Sequence, residues 1–241
     1  MPTCMYCLRS GRPSNIEHLI PAGLGPHADI VLPKGAVCED CNHRLGREVD
    51  EALVHLFEVQ LIRGLFRVPD RKGKTLDVLE LRNGRIDFTD PEQLLKVEVS
   101  GDYLDEGDGK SLLVTLIAKR KQSGPQWRRA TRAVLKIGLG LTYLHHGAPT
   151  ALGNGYDPVR AAICGEPYEG YLLIGEFDLT EWPHLNASLL HDIPGVTVGA
   201  QLRYGGLNLI ADLGLGPAGA AVRKWAEENA YRIMTIDPRR L

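Results

Sequence analysis

Four of the five cysteines form two closely spaced pairs, which constrain the fold of this chain more than any other feature. The pairs are Cys4-x2-Cys7 and Cys38-x2-Cys41, and 30 residues separate Cys7 from Cys38. Structural zinc sites take four tetrahedral ligands, and each Cys-x2-Cys turn presents two thiolates at a suitable separation. The spacing therefore predicts a structural Zn²⁺ site with four cysteine ligands; the alternative is a set of four unliganded thiols.

The segment around these cysteines is too poor in large apolar residues to build a core of its own. Up to Gly46 it is irregular and rich in Gly, Pro and His. Such a segment needs a crosslink or a bound metal to be stable. In a reducing compartment, paired cysteines more often hold a metal than form disulfides. Cys164 stands apart and is predicted to be a buried, small apolar residue.

Composition sets broad limits on the protein class. The chain has 241 residues, of which 44% are hydrophobic, enough for one large core or for an ordinary core plus a stapled module. The net charge of −2 does not point to nucleic acid, although binding depends on local charge placement. No run approaches the roughly 18 apolar residues of a membrane span, and the start lacks the pattern of a secretory signal. We expect a soluble, cytoplasmic protein that does not bind membranes.

The sequence pattern changes near residue 70, where an irregular segment and a helix give way to strand and hairpin signals. This change predicts one domain over residues 1–68 and a second over 69–241. Apolar spacing predicts a helix from Glu39 to the Pro69 region. Asn83-Gly84 predicts a hairpin between the strands 76–81 and 85–88. Apolar steps of three and four residues predict a helix over 127–144.

Further elements follow from alternation and turn residues. Strands are predicted at 95–99, 112–118, 171–177, 196–203, 207–211 and 231–236, with a helix at 217–230 and a turn at Tyr204-Gly205-Gly206. The predicted fold class is α+β, with a small zinc-stapled module followed by a larger mixed α+β domain.

The residues between and after the cysteine pairs form a more specific pattern. Glu17-His18-Leu19-Ile20-Pro21 lies between the pairs, Gly23 and Gly25 follow, and the second pair reads Cys38-Glu39-Asp40-Cys41-Asn42. Over about residues 4–50 this pattern resembles the HNH endonuclease family. The resemblance implies a ββα-metal fold, in which a hairpin carries the catalytic histidine and the next helix supplies a metal ligand. It also implies metal-dependent cleavage of DNA that leaves a 5′-phosphate and a 3′-hydroxyl.

The chemistry of phosphodiester hydrolysis suits these residue types. It needs a base for the attacking water and a cation to neutralise charge on the phosphate. His18 offers a neutral imidazole near pH 7, and Glu17 and Asn42 offer hard oxygen ligands for Mg²⁺ or Mn²⁺. By resemblance, Glu17 precedes the catalytic histidine and Asn42 is the last letter of the HNH motif, so the hydrolytic metal is expected to be separate from the zinc.

Each of these roles has an alternative. His18 could be structural, Asn42 could cap the N-terminus of a helix, and His43 could replace Asn42 as the ligand. Pro33 stands where many HNH nucleases have an orienting asparagine, so either Asp29 or Asn15 takes that role or the site is weakened or inactive. The second functional hypothesis is therefore a zinc-knuckle module that binds nucleic acid or protein without catalysis.

A nuclease needs positive charge near its substrate, which is expected to be double-stranded DNA. Residues 119–136 contain no acidic residue and seven basic ones: Lys119, Arg120, Lys121, Arg128, Arg129, Arg132 and Lys136. Because Arg128, Arg132 and Lys136 recur every four residues, they are predicted to line one exposed helical face. The alternative is an ordinary solvated face.

Two arginines lie closer to the motif. Arg44 and Arg47 follow the second cysteine pair and are predicted to contact phosphates. The roles open to residues 69–241 are DNA binding, homodimer formation and ligand sensing.

Overall fold

The computed structural model describes residues 3–10, 12, 16–25, 30–70, 72–81, 84–89, 96–99, 124–175 and 184–236. Helices and strands alternate irregularly along the chain, which confirms the predicted α+β class. The helices are α1 (Glu39–Leu45), α2 (Glu51–Val54), α3 (Phe57–Leu65), α4 (Gly124–Ala151), α5 (Asp157–Cys164) and α6 (Ala220–Glu228), with a π-helical turn at Gly46–Asp50 and 3₁₀ turns at Ala22–Leu24 and Asn154–Tyr156.

The strands of the described residues are β1 (Glu17–His18), β2 (Val31–Leu32), β3 (Val78–Leu81), β4 (Gly84–Asp87), β5 (Lys96–Val99), β6 (Gly170–Gly175), β7 (Leu185–Leu190), β8 (Gly199–Tyr204), β9 (Leu207–Asp212) and β10 (Tyr231–Ile236). They form three antiparallel sheets with the orders β1-β2, β3-β4-β5 and β10-β6-β9-β8-β7.

Helix α4 is the centre of the structure, and residues 130–142 within it are all buried. Two glycines let it approach its neighbours closely. A Cβ at Gly138 would lie 2.4 Å from the Cβ of Ala200 in β8, and one at Gly140 would lie 2.1 Å from a methyl carbon of Leu19. Small residues at these two positions therefore allow α4 to pack between the five-stranded sheet and the segment that follows β1.

The cysteine-rich segment shares its core with the rest of the chain. One cluster of buried residues runs from Cys4 and Leu19 through Val134 to Leu209 and Ile236. Helix α6 covers part of the other face of the large sheet. A division at residue 68 therefore stays a prediction from the sequence, and among the described residues one buried cluster contains residues from both sides of that position.

Several predicted elements are confirmed: the β3–β4 hairpin, β5, β6, β8, β9, β10, α4 and α6. The strand predicted at 112–118 lies outside the described residues. The helix predicted from Glu39 to the Pro69 region is interrupted by the π-helical turn and again at Leu56, whose ψ of 137° is not helical. Among the described residues, no helix is both long and apolar enough to cross a membrane.

Two elements lack a counterpart in the predictions. Strand β7 is an edge strand with mostly half-buried residues, so its apolar alternation is weak. Helix α5 has clear local signals, with a proline in its first turn and Gly165 at its C-terminus with a φ of 102°. These two residues are typical of helix ends and could have identified α5.

Candidate active site

The four paired cysteines meet at one point. The Sγ atoms of Cys4, Cys7, Cys38 and Cys41 all lie within 4.8 Å of one another, and those of Cys7 and Cys38 are 3.8 Å apart. Tetrahedral Zn–S bonds of about 2.3 Å place two sulfurs roughly 3.8 Å apart, so the cluster fits Zn²⁺. Within the described part of the chain, this is the one group of three or more His, Cys, Asp or Glu side chains arranged to hold a metal.

Backbone hydrogen bonds shape the two cysteine turns. In the first, the N–H of Leu8 donates to the carbonyl of Cys4 at 2.9 Å. In the second, the sulfur of Cys38 caps helix α1 by accepting from the N–H of Cys41 at 3.5 Å. The side-chain hydrogen bond between Cys4 and Cys41 lowers the pKa of Cys4 and raises that of Cys41, so a metal that binds here displaces the proton that the two thiols share.

The short strand β1 carries the Glu17-His18 pair. His18 lies opposite Val31 of β2, and the N–H of Leu19 extends the pairing by donating to the carbonyl of Ile30 at 2.9 Å. Because successive side chains of a strand point to opposite faces, Glu17 and His18 diverge. Glu17 is buried, whereas His18 is half-buried on the other face of the hairpin.

Asn42 connects helix α1 to this hairpin. Its side-chain Nδ2 donates to the carbonyl of Ile16 at 3.1 Å, two residues before His18. Because Cys38 is the N-terminal cap of α1, Asn42 lies inside the helix, and the alternative that it caps the helix is wrong. The amide oxygen of Asn42 is not used in this hydrogen bond and can serve as a ligand. The neighbouring His43 is exposed.

One comparison with known proteins agrees with the arrangement of this segment. The first cysteine pair, a hairpin bearing a histidine, the second cysteine pair and helix α1 follow one another between Cys4 and Leu45. Residues 4–58 match the HNH endonuclease family. We call them the HNH module. The comparisons with curated proteins and with solved structures gave no match.

The carboxylate of Glu17 lies inside the protein, where it forms an ion pair. Glu17 is 3% exposed, and its Oε1 is 2.9 Å from the Nζ of Lys136 in α4. The same Nζ lies 2.7 Å from the Oδ2 of Asp50. Burial opposes the charge on Lys136, but the two carboxylates raise its pKa overall. The prediction that Glu17 is an accessible metal ligand of the HNH module does not fit these contacts.

The predicted line of basic residues on one exposed face of α4 is wrong. Lys136 is 1% exposed and Arg132 is 9% exposed. The Arg132 guanidinium donates twice to the carbonyl of Ile163, at 3.1 and 2.7 Å, and Arg128 is half-buried. Because α4 packs against protein on several sides, its basic face meets other segments instead of solvent. Lys119, Arg120 and Lys121 lie outside the described residues.

The two arginines of the HNH module differ in their surroundings. Arg47 is exposed on the π-helical turn. Arg44 is half-buried, and its Nη1 donates to the carbonyl of Cys164 at 3.4 Å. Arg44 and Cys164 line a cleft of about 590 Å³ between the cysteine knuckle and α5. Cys164 is therefore half-buried at this cleft, whereas the sequence predicted a buried residue.

Pro33 has a local structural role in the HNH module. The N–H of Ala36 donates to the carbonyl of Pro33 at 3.0 Å, and Gly35 within this turn has a φ of 93°. Left-handed φ values favour glycine. Pro33 thus begins the turn that leads from β2 into the second cysteine pair. Asn15 and Asp29, the two predicted substitutes for an orienting asparagine, lie outside the described residues.

Proposed function

We propose that this chain is a metal-dependent endonuclease that hydrolyses phosphodiester bonds of double-stranded DNA, with His18 as the general base. The observation that supports this most is the contact between Asn42 and Ile16. It joins the helix after the second cysteine pair to the residue before β1, and so brings Asn42 near the strand that carries His18. The family match over residues 4–58 supports the same function.

In this proposal the side chain of His18 accepts a proton from the attacking water, which a neutral imidazole can do near pH 7. The half-buried position of His18 leaves part of its ring accessible to solvent and substrate. The zinc held by the four cysteines is structural, because four protein thiolates fill its tetrahedral shell.

The hydrolytic cation needs hard oxygen ligands. Mg²⁺ and Mn²⁺ sites keep several waters and use few protein oxygens together with the phosphate of the substrate. The Asn42 oxygen fits this role and His43 is the alternative, whereas Glu17 faces Lys136. When bound, the cation would neutralise charge on the phosphate and on the leaving oxygen.

One observation favours the second candidate, a nucleic-acid- or protein-binding module without catalysis. The Glu17 carboxylate, which the family resemblance assigns to the metal, is paired with Lys136. If no other residue replaces that ligand, the HNH module would bind DNA without cutting it.

Plasmid cleavage separates the two candidates. Purified full-length protein is incubated with supercoiled plasmid in Mg²⁺, in Mn²⁺ or in EDTA. We expect nicked and linear products with either metal and none in EDTA, with 5′-phosphates that permit religation without prior phosphorylation. Plasmid retarded on a gel but uncut with both metals would support the binding module and contradict the endonuclease.

Arg47 is expected to contribute to DNA affinity because it is an exposed cation on the π-helical turn that directly follows α1. Arg47→Glu is predicted to weaken binding on the order of tenfold at low salt and to reduce the salt slope by about one. Fluorescence anisotropy over a salt series measures both. The control is Lys224→Glu on α6, where the lysine side chain is 78% exposed on an element that packs against the large sheet. Equal losses in the two variants would assign the Arg47 effect to net charge alone.

A further inference from the structure

Lys136 is a buried cation that joins three segments far apart in sequence. Its Nζ lies 2.9 Å from the Oε1 of Glu17 in β1 and 2.7 Å from the Oδ2 of Asp50 in the π-helical turn. Lysine is almost never fully buried unless it is paired. The contacts therefore tie helix α4, which comes from outside the HNH module, to two elements within that module.

The π-helical turn explains how Asp50 reaches this position. A π-helical turn accommodates an extra residue in a helix, which changes the direction of the side chains after it, and such turns are frequent at functional sites. Here it spans Gly46–Asp50, between α1 and α2. Asp50 is the last residue of the turn, and its carboxylate faces Lys136.

Helix α4 contacts the residues immediately before and after His18. Strand β1 has two residues and pairs with one other strand, β2. Before His18, Glu17 is held by Lys136. After it, Leu19 packs where Gly140 leaves room, since a Cβ at Gly140 would lie 2.1 Å from the Leu19 side chain. So short a hairpin has little stability of its own, and both neighbours of His18 are fixed by the same helix.

We propose that Lys136 is a positioning residue for His18: by pairing with Glu17 it holds strand β1 against α4, so that the adjacent imidazole faces the substrate. This inference rests on the function proposed above. Loss of the ammonium would remove the contact that holds strand β1 and would leave the Glu17 carboxylate buried without its partner, a strongly unfavourable arrangement that the strand can relieve by moving toward water. That movement would displace His18, the next residue in the chain. The part of the chain beyond the family match would thus complete the nuclease site.

The first test measures cleavage by the full-length protein. Lys136→Met is expected to lower the single-turnover rate at saturating DNA by about 10- to 100-fold, because small displacements of a catalytic group have effects of that size. Its DNA affinity is expected to stay within about twofold of the parent, with zinc retained. The matched control is Arg129→Met, an exposed position of the same helix. A folded Lys136→Met protein that cleaves at the parent rate would overturn the proposal.

A double-mutant cycle separates positioning from metal binding by Glu17. If Glu17 acts only through Lys136, adding Glu17→Gln to Lys136→Met causes no further loss of rate, because the ion pair is already broken. If Glu17 instead holds the metal, the double variant will be slower than either single variant, which would refute the positioning role.

Should Lys136→Met not fold, the triple variant Glu17→Gln, Asp50→Asn, Lys136→Met carries no charge in the cluster. It is then expected to fold and to cleave at least about tenfold more slowly than the parent, and cleavage at the parent rate would refute the proposal.

A measurement without cleavage keeps this inference separate from the proposed function. His18 and Val31 are cross-strand partners, so their protons are expected to give an NOE in the parent and in Arg129→Met. This NOE should be lost or weakened in Lys136→Met or, if that variant does not fold, in the triple variant. If the parent never cleaves DNA but the NOE is lost in the Lys136 variant, the nuclease is refuted and the positioning role is supported. An unchanged NOE in a folded Lys136 variant would refute the positioning role whatever the activity.

Discussion

His18→Ala is expected to reduce plasmid cleavage by about 10²- to 10⁴-fold, the range that general-base catalysis contributes. The side chain is half-buried on a two-residue strand, so its removal leaves no large cavity. The variant should therefore keep its zinc, its melting temperature and its DNA affinity. Single-turnover cleavage, with the rate fitted at saturating protein, measures the effect directly.

The control for this variant is His145→Ala, which removes an exposed histidine from α4 and should cleave at the parent rate. Equal cleavage by His18→Ala and the parent would mean that another residue is the base or that a contaminating nuclease is responsible. A pronounced loss in both variants would point to a general effect of the substitutions.

Cys38→Ser is expected to release the zinc and unfold the HNH module. Structural zinc sites of this kind contribute about 10–16 kcal/mol of binding free energy, comparable to the roughly 5–15 kcal/mol that stabilises a whole domain. Because Cys38 and Cys41 belong to the same buried cluster as residues of α4 and the large sheet, the loss should extend beyond the module. Metal analysis should find about one zinc per chain in the parent and none in the variant.

Thermal unfolding provides the second measurement, and Cys164→Ser is the matched control. Cys164 is the fifth cysteine and lies at the edge of the cleft, where its sulfur is 3.6 Å from the carbonyl of Tyr6. Its substitution should retain the zinc and most of the stability. Retained zinc together with an unchanged melting temperature in Cys38→Ser would contradict a four-cysteine zinc site.

The parts of the site that could be predicted from the sequence depend on local geometry. A Cys-x2-Cys turn places two sulfurs close together wherever it occurs, and the two turns do meet. The Asn83-Gly84 signal depends in the same way on the backbone of one turn, and β3 and β4 do form a hairpin there, with Leu81 paired to Gly84. The position of Asn42 inside α1 is also local, although its contact with Ile16 crosses 26 residues.

The burial of the basic side chains of α4 could not be predicted in this way. Helical periodicity identifies which residues share a face, but it does not say whether that face meets water or another segment. Arg132 and Lys136 share a face, as the sequence indicates, and both are covered by segments distant in the chain. The paired carboxylate of Asp50 lies 86 residues away from Lys136.

The sequence by itself determined the cysteine knuckle, the α+β class and the resemblance of the first fifty residues to HNH endonucleases, because each depends on residue types at short spacing. The tertiary structure alone decided that the knuckle belongs to the same buried cluster as residues of α4 and the large sheet. It also decided that Glu17 faces inward to Lys136, while His18 is half-buried on the opposite face of the hairpin. The physical reason is that a buried charge is stable only beside its partner, and the partner of Glu17 comes from a helix that no local pattern places beside strand β1.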